Sequence, residues 1–119
     1  DNMGISVIAI APRTMVLLAT STATLGIAGV FTSATFDISL FKDIRVSVFA
    51  DQISATGGIA IQQTADGTNY DKESKFTYDV ASDTEQGFIV DVLAKTGRVK
   101  YTNGGVAQTI FRIFIYGVP

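Results

Sequence analysis

The chain has 119 residues, 47% hydrophobic and 17% charged, with 9 Lys or Arg against 11 Asp or Glu and a formal net charge of −2. That length suits one domain with its own core, the apolar share excludes global disorder, and the charge balance gives no general pull toward nucleic acid or anionic membrane. Histidine and cysteine are both absent, which excludes Ser–His–Asp and Cys–His catalysis, disulfides and thiolate metal sites, and removes the commonest transition-metal ligand.

Catalysis, if any, would have to rest on carboxylates, lysines or tyrosines. A cysteine-free chain suits assembly in a reducing cytosol. The sequence opens on Asp1, as a processed chain or a segment of a longer one would.

In chain order, the first third is nearly free of charge: none falls between Thr14 and Phe36, and only Asp1 and Arg13 precede that stretch. A membrane-spanning helix needs about 20 predominantly apolar residues, whereas this run is broken by Thr20, Ser21, Thr22, Thr24, Gly26 and Gly29. A signal-peptide remnant would need a basic leader and a cleavage site. The β-branched and small residues instead favour strands over Ile5–Ile10, Met15–Thr20 and Leu25–Phe31, separated by Pro12 and the polar residues around Ser21.

Downstream, a period of two is explicit. Phe36, Ile38 and Leu40 alternate with Asp37 and Ser39; Ile44, Val46 and Val48 alternate with Arg45, Ser47 and Phe49. Phe76, Tyr78 and Val80 oppose Thr77 and Asp79, and Val99 and Tyr101 oppose Arg98, Lys100 and Thr102. This is the pattern of half-buried antiparallel strands. Turn signals about every 8–12 residues predict roughly eight to ten short strands. The expected fold is all-β, an antiparallel β-sandwich of jelly-roll type, with residues 1–31 as an apolar N-terminal arm or extra strands and 32–119 as the sandwich.

Two segments are apolar on both faces. Phe111, Ile113 and Ile115 are backed by Ile110, Phe114 and Tyr116, while Phe88, Val90 and Val92 are backed by Ile89 and Leu93. Such strands lie under a covering layer or against another chain. Together with the apolar N-terminal third, they predict burial in a homo-oligomer. The candidate interface residues are Ile5, Val7, Ile8, Met15, Leu17 and Leu18.

The loop signals carry geometry first. Asp66–Gly67 is a turn dipeptide that Asn69 and Asp71 continue, and Asn103–Gly104 is a second hairpin-type signal. Asp66, Asn69 and Asp71 could offer oxygens to calcium, but EF-hand spacing and its distal glutamate are missing. The glycines after Asn103 match no phosphate-binding spacing. Asp79, Asp83, Glu85 and Asp91 crowd one window and could form a glycosidase-like pair; solvated surface carboxylates are the plainer reading. Arg45, Arg98, Lys100 and Arg112 could stripe one sheet face toward nucleic acid, but carboxylates interleave with them and no aromatic platform is evident. No catalytic residue, cofactor or metal is expected.

The successive stretches "FDISLFKDIRVSVFADQ", "GGIAIQQTADGTNYD" and "GRVKYTNGGVAQTIFRIFIYG" resemble a β-sandwich domain of tailed-bacteriophage and prophage virion proteins. One motif of that group falls on Gln62, Gln63, Asp66, Gly67, Asn69 and Asp71, with Tyr70 where tryptophan is usual and Thr64 where serine is common. The other falls on Arg98, Val99, Tyr101, Thr102, Asn103, Gly104, Ala107, Gln108, Thr109, Phe111 and Arg112. The resemblance spans Ala34 to Gly117, and none of its residues is catalytic.

It implies a structural, non-enzymatic virion protein, assembled in the bacterial host cytoplasm. A capsid decoration or cement protein leads, a homo-oligomer with a trimer favoured, bridging capsomers of the major capsid protein without contacting nucleic acid or membrane. Many weak contacts engaged together would supply the grip. A tail, baseplate or fibre domain is the alternative. A carbohydrate-binding module is the second, with Tyr70, Phe76, Tyr78 and Tyr101 as candidate platform residues; a hydrolase is the least favoured.

Overall fold

Alternating side chains leave one face of each strand to be covered, and two sheets meeting face to face meet that demand. In a computed structural model, which describes residues 14–81 and 87–119, there are nine strands and no helix among the described residues. They are β1 Val16–Ser21, β2 Val30–Thr32, β3 Phe36–Asp37, β4 Asp43–Ala50, β5 Ser54–Thr64, β6 Lys72–Phe76, β7 Gly87–Asp91, β8 Thr96–Asn103 and β9 Phe111–Val118. One sheet has the order β1-β9-β4-β7; the other has β2-β8-β5-β6, with β3 also paired to β8. All pairings are antiparallel, giving the β-sandwich expected from the alternation.

The core is where the two inner faces meet. Ile44, Val46 and Val48 of β4 and Ile113 and Ile115 of β9 face Ile59 and Ile61 of β5 and Val99 and Tyr101 of β8, all buried. Each such aliphatic side chain contributes about 1.5–3 kcal/mol relative to exposure. Two aromatic contacts fill the ends of this layer: Tyr101 lies 4.9 Å from Phe111, and Phe76 lies 4.9 Å from Phe88.

Some expectations shift in detail. Residues 5–10, with the candidate interface residues Ile5, Val7 and Ile8, lie outside the described residues. The strand expected at Leu25–Phe31 forms only at Val30–Thr32. Before it, Gly29 N donates to Gly26 O at 3.0 Å and Ala28 takes a left-handed φ of 56°, so the chain turns where a strand would run straight. The described part of the N-terminal third belongs to the sheets: β1 pairs with β9 and β2 with β8.

Alternation also breaks after Asp37. Its carboxylate accepts from Ser39 N at 2.9 Å and Phe41 N donates to Ile38 O at 3.1 Å. That turn buries Ile38 but leaves Leu40 83% exposed. Likewise β6 stops at Phe76 and Val80 is exposed. Tyr78 leaves the strand to enter the core, its hydroxyl accepting from Ala50 N at 3.2 Å and donating to Ala50 O at 3.0 Å.

Candidate functional site

The outer face of the four-stranded sheet is the part of the molecule that the fold leaves incompletely explained. Its cross-strand rows follow from the register. Leu17, Tyr116, Arg45 and Ile89 form one row across β1, β9, β4 and β7. Thr20, Phe114, Ser47 and Gly87 form the next, and Arg112 and Phe49 a third. A solvated sheet face normally carries polar residues at such positions. Here Leu17 is 49% exposed and Ile89 60%, and between them lie Tyr116 and Phe114, stacked at 6.5 Å.

The two cations on this face have partners within it. Arg45 Nε donates to Asp43 Oδ1 at 3.1 Å, and the Arg112 guanidinium sits 4.6 Å from the centre of the Phe49 ring. Where Ser47 and Gly87 present little or no side chain, the face sinks into a groove of about 480 Å³. Met15, Tyr116, Phe88 and Ile89 wall it, and Arg45 supplies the one charge among the described residues that line it. Such a surface offers area and shape complementarity, with no nucleophile beside a base among the described residues.

Of the expected interface residues that are described, Met15 and Leu17 face outward here. Leu18 does not. The β1–β9 register slips between Leu17 and Ala19, and this bulge turns Leu18 inward against the core. Sequence alternation identified the apolar backing of β7 and β9. It gave no sign that Phe49 and the Ser47–Gly87 hollow join the same surface, because cross-strand register is not written in either strand alone.

The opposite outer face is polar. Glu73 of β6, Gln62 of β5 and Arg98 of β8 are cross-strand neighbours: Gln62 Nε2 donates to Glu73 Oε2 and Arg98 Nε donates to Gln62 Oε1, both at 2.6 Å. The Gln62 bond holds the Glu73 carboxyl below its usual range. The Arg98 guanidinium caps the ring of Tyr70 at 3.8 Å. Arg45 and Arg112 therefore belong to one sheet and Arg98 and Lys100 to the other, so these four do not form the single basic stripe that nucleic-acid binding would need.

The Asp66–Gly67 turn joins β5 to β6 and is held by its own side chains. Asp66 Oδ1 accepts from Thr68 N at 2.8 Å, Asn69 N at 2.7 Å and the Thr64 hydroxyl at 2.9 Å, while Oδ2 accepts from Asn69 Nδ2 at 2.7 Å. These donors, led by the Asn69 amide, hold the carboxyl far below its usual range. Gly67 sits at φ +82° and donates to the Thr64 hydroxyl at 3.0 Å. Asp71 makes no contribution to this ring of bonds. With its oxygens turned to local amides, Asp66 works as a turn anchor.

Asn103 and Gly104 do not form a hairpin, a correction to the expectation. β8 and β9 lie in different sheets, and the chain crosses between them here. Asn103 is buried, its Nδ2 donating to Gly26 O and Val106 O, each at 2.8 Å. Gln108 accepts from Leu25 N at 2.9 Å. Both residues thus fasten the loop before β2 to the crossing, and Asp51 fastens its far end by accepting from Thr109 N at 3.0 Å and Ile110 N at 3.1 Å.

The four aromatics that the carbohydrate-binding alternative would use as a platform are not together on a surface. Tyr78 and Tyr101 are fully buried, Phe76 packs on Phe88, and Tyr70 lies beneath Arg98. Burial, reinforced by the nearby Tyr78, pushes the Tyr101 hydroxyl up to about 12. Among the carboxylates of the crowded window, Asp83 and Glu85 lie outside the described residues. Among the described residues, no three His, Cys, Asp or Glu gather as a metal-ligand group.

The family model described as "Uncharacterised protein YqxG N-terminal domain" matches residues 7–116, and the chain belongs to that family. No curated protein and no solved structure matches it significantly.

Proposed function

We propose that this chain is a structural, non-enzymatic component of a tailed-phage or prophage particle, acting as a homo-oligomeric capsid decoration protein that stabilises the head by bridging capsomers. The observation that carries this reading is the outer face of the four-stranded sheet. Exposed Leu17 and Ile89 flank half-buried Phe114 and Tyr116 in a largely apolar surface that is suited to contact with protein and carries no nucleophile–base pair among the described residues. The motif resemblance, running through Gln62–Asp71 and Arg98–Arg112, supplies the particle. Avidity supplies the strength: modest contacts repeated over several linked copies hold far more tightly than one.

A tail, baseplate or fibre position uses the same physics at lower copy number. The test is the stoichiometry of the chain in purified particles, by quantitative mass spectrometry against the major capsid protein. Hundreds of copies per particle support decoration, a handful moves the chain to the tail, and none refutes the proposal.

A further inference from the structure

We propose that a second copy of this chain packs face to face on the outer surface of the four-stranded sheet, across the rows Leu17–Tyr116–Arg45–Ile89 and Thr20–Phe114–Ser47–Gly87. The inference deepens the proposed function and rests on its homo-oligomeric reading.

Size is adequate. Four strands about 4.8 Å apart, with about 3.4 Å per residue, give a projected face of roughly 400–500 Å². Two such faces approach about 1,000 Å², and side-chain relief adds to the projection; that is the threshold for a specific interface. Two sheets stacked about 10 Å apart are also the packing that this chain already uses inside itself.

Charge allows burial. Arg45 has Asp43 at 3.1 Å and Arg112 covers the Phe49 ring at the end of the face, so pairing copies leaves no lone cation in the middle of the contact. The other sheet is unsuited to the same role, since Arg98, Lys100, Gln62 and Glu73 make its outer face a solvated polar ladder.

Shape points to a copy of the same surface as the occupant. The face carries its bulk on one half, with Leu17 on β1 and Phe114 and Tyr116 on β9, and its hollow on the other, at Ser47 of β4 and Gly87 of β7. A two-fold axis along the strands sets β1 of one copy over β7 of the other. It also sets β9 over β4, so that Phe114 of each copy meets the Ser47–Gly87 hollow of the other, Tyr116 meets Arg45 and Leu17 meets Ile89, each contact made twice as an isologous interface requires. This arrangement pairs copies two by two.

The natural chain has no cysteine, so single reporter cysteines read the interface in the full chain. Ser47→Cys and Arg112→Cys are placed on the central strands β4 and β9 of the proposed face, where the two-fold brings like residues close, and Lys100→Cys on the opposite face, each treated with a short bismaleimide. The expected result is a covalent dimer from the first two, at least tenfold above that from Lys100→Cys. Combining Ser47→Cys with Ile89→Glu, or separately with Leu17→Lys, abolishes that dimer while the circular dichroism spectrum and Tm hold. Equal cross-linking on both faces, no cross-linking, or a dimer indifferent to both charge variants overturns the inference. So does a monomer that instead binds lipid vesicles through this face. Particle stoichiometry is read separately: cross-links without particle incorporation refute the virion reading and keep the interface, and incorporation without cross-links does the reverse.

Discussion

Gln63 Nε2, on the five-stranded sheet, donates to the carbonyl of Asp91 on the four-stranded sheet at 2.9 Å. Its Oε1 accepts from Leu93 N at 2.7 Å and Ala94 N at 3.2 Å. A single buried amide thus ties the end of β7 to β5 across the sandwich. Leucine at this position keeps much of the volume and leaves those backbone groups without their partner. Gln63→Leu is expected to lower stability by about 2–3 kcal/mol, several degrees in Tm, read by thermal denaturation. An unchanged Tm would show that water replaces the amide without loss.

Gly58 stands where the β5–β8 register slips between Ser54 and Ile59. A Cβ there would fall 2.6 Å from Thr102 O and 2.8 Å from Ala55 O, both backbone atoms that move only with their strands. Gly58→Ala is expected to cost about 1–3 kcal/mol. Urea denaturation measures it, with a lower midpoint at unchanged slope.

The β5–β6 loop depends on Asp66 as an acceptor. Asp66→Ala removes the partner of Thr68 N and Asn69 N, so those two amides are expected to exchange hydrogen faster, with Asp66→Asn in between. Millimolar calcium is expected to leave Tm unchanged in the wild type. A calcium-dependent rise abolished by Asp66→Ala would restore the metal reading of this loop.

Acid should weaken the fold through two carboxylates. Hydrogen bonds from the Thr109 hydroxyl and the Ile110 and Thr109 amides bring Asp51 down to about 2, and Asp66 is lowered as well. Both keep their charge in the fold at pH values where the unfolded chain binds protons, so their stabilisation is complete above the usual value of 3.8 and is lost as pH falls toward 2. Stability is expected to be flat above about pH 5 with respect to these groups. Asp51→Asn should shallow the decline between pH 4 and pH 2, measured as Tm against pH.

The sandwich was legible wherever side-chain alternation and a buried face coincide. Ile44, Val46 and Val48, and Phe111, Ile113 and Ile115, alternate in sequence and are buried in the fold. Alternation misled where a local hydrogen bond ends a strand early, as Asp37 does before Leu40. The Asn103–Gly104 pair has the composition of a hairpin, but β8 and β9 belong to different sheets; turn chemistry reports that the chain bends, and long-range pairing decides where it goes. The apolar backing of β9 was visible as Phe114 and Tyr116. That Phe49, Ser47 and Gly87 complete the same face depends on registers between strands far apart in sequence.

The account turns on whether that face is covered by another molecule of this protein. Sedimentation equilibrium of the full chain, over a range of concentrations and at moderate salt, tests this most directly. The expected mass is that of two chains or an even multiple, falling to one chain with Ile89→Glu. A wild-type mass of one 119-residue chain throughout the range would contradict it.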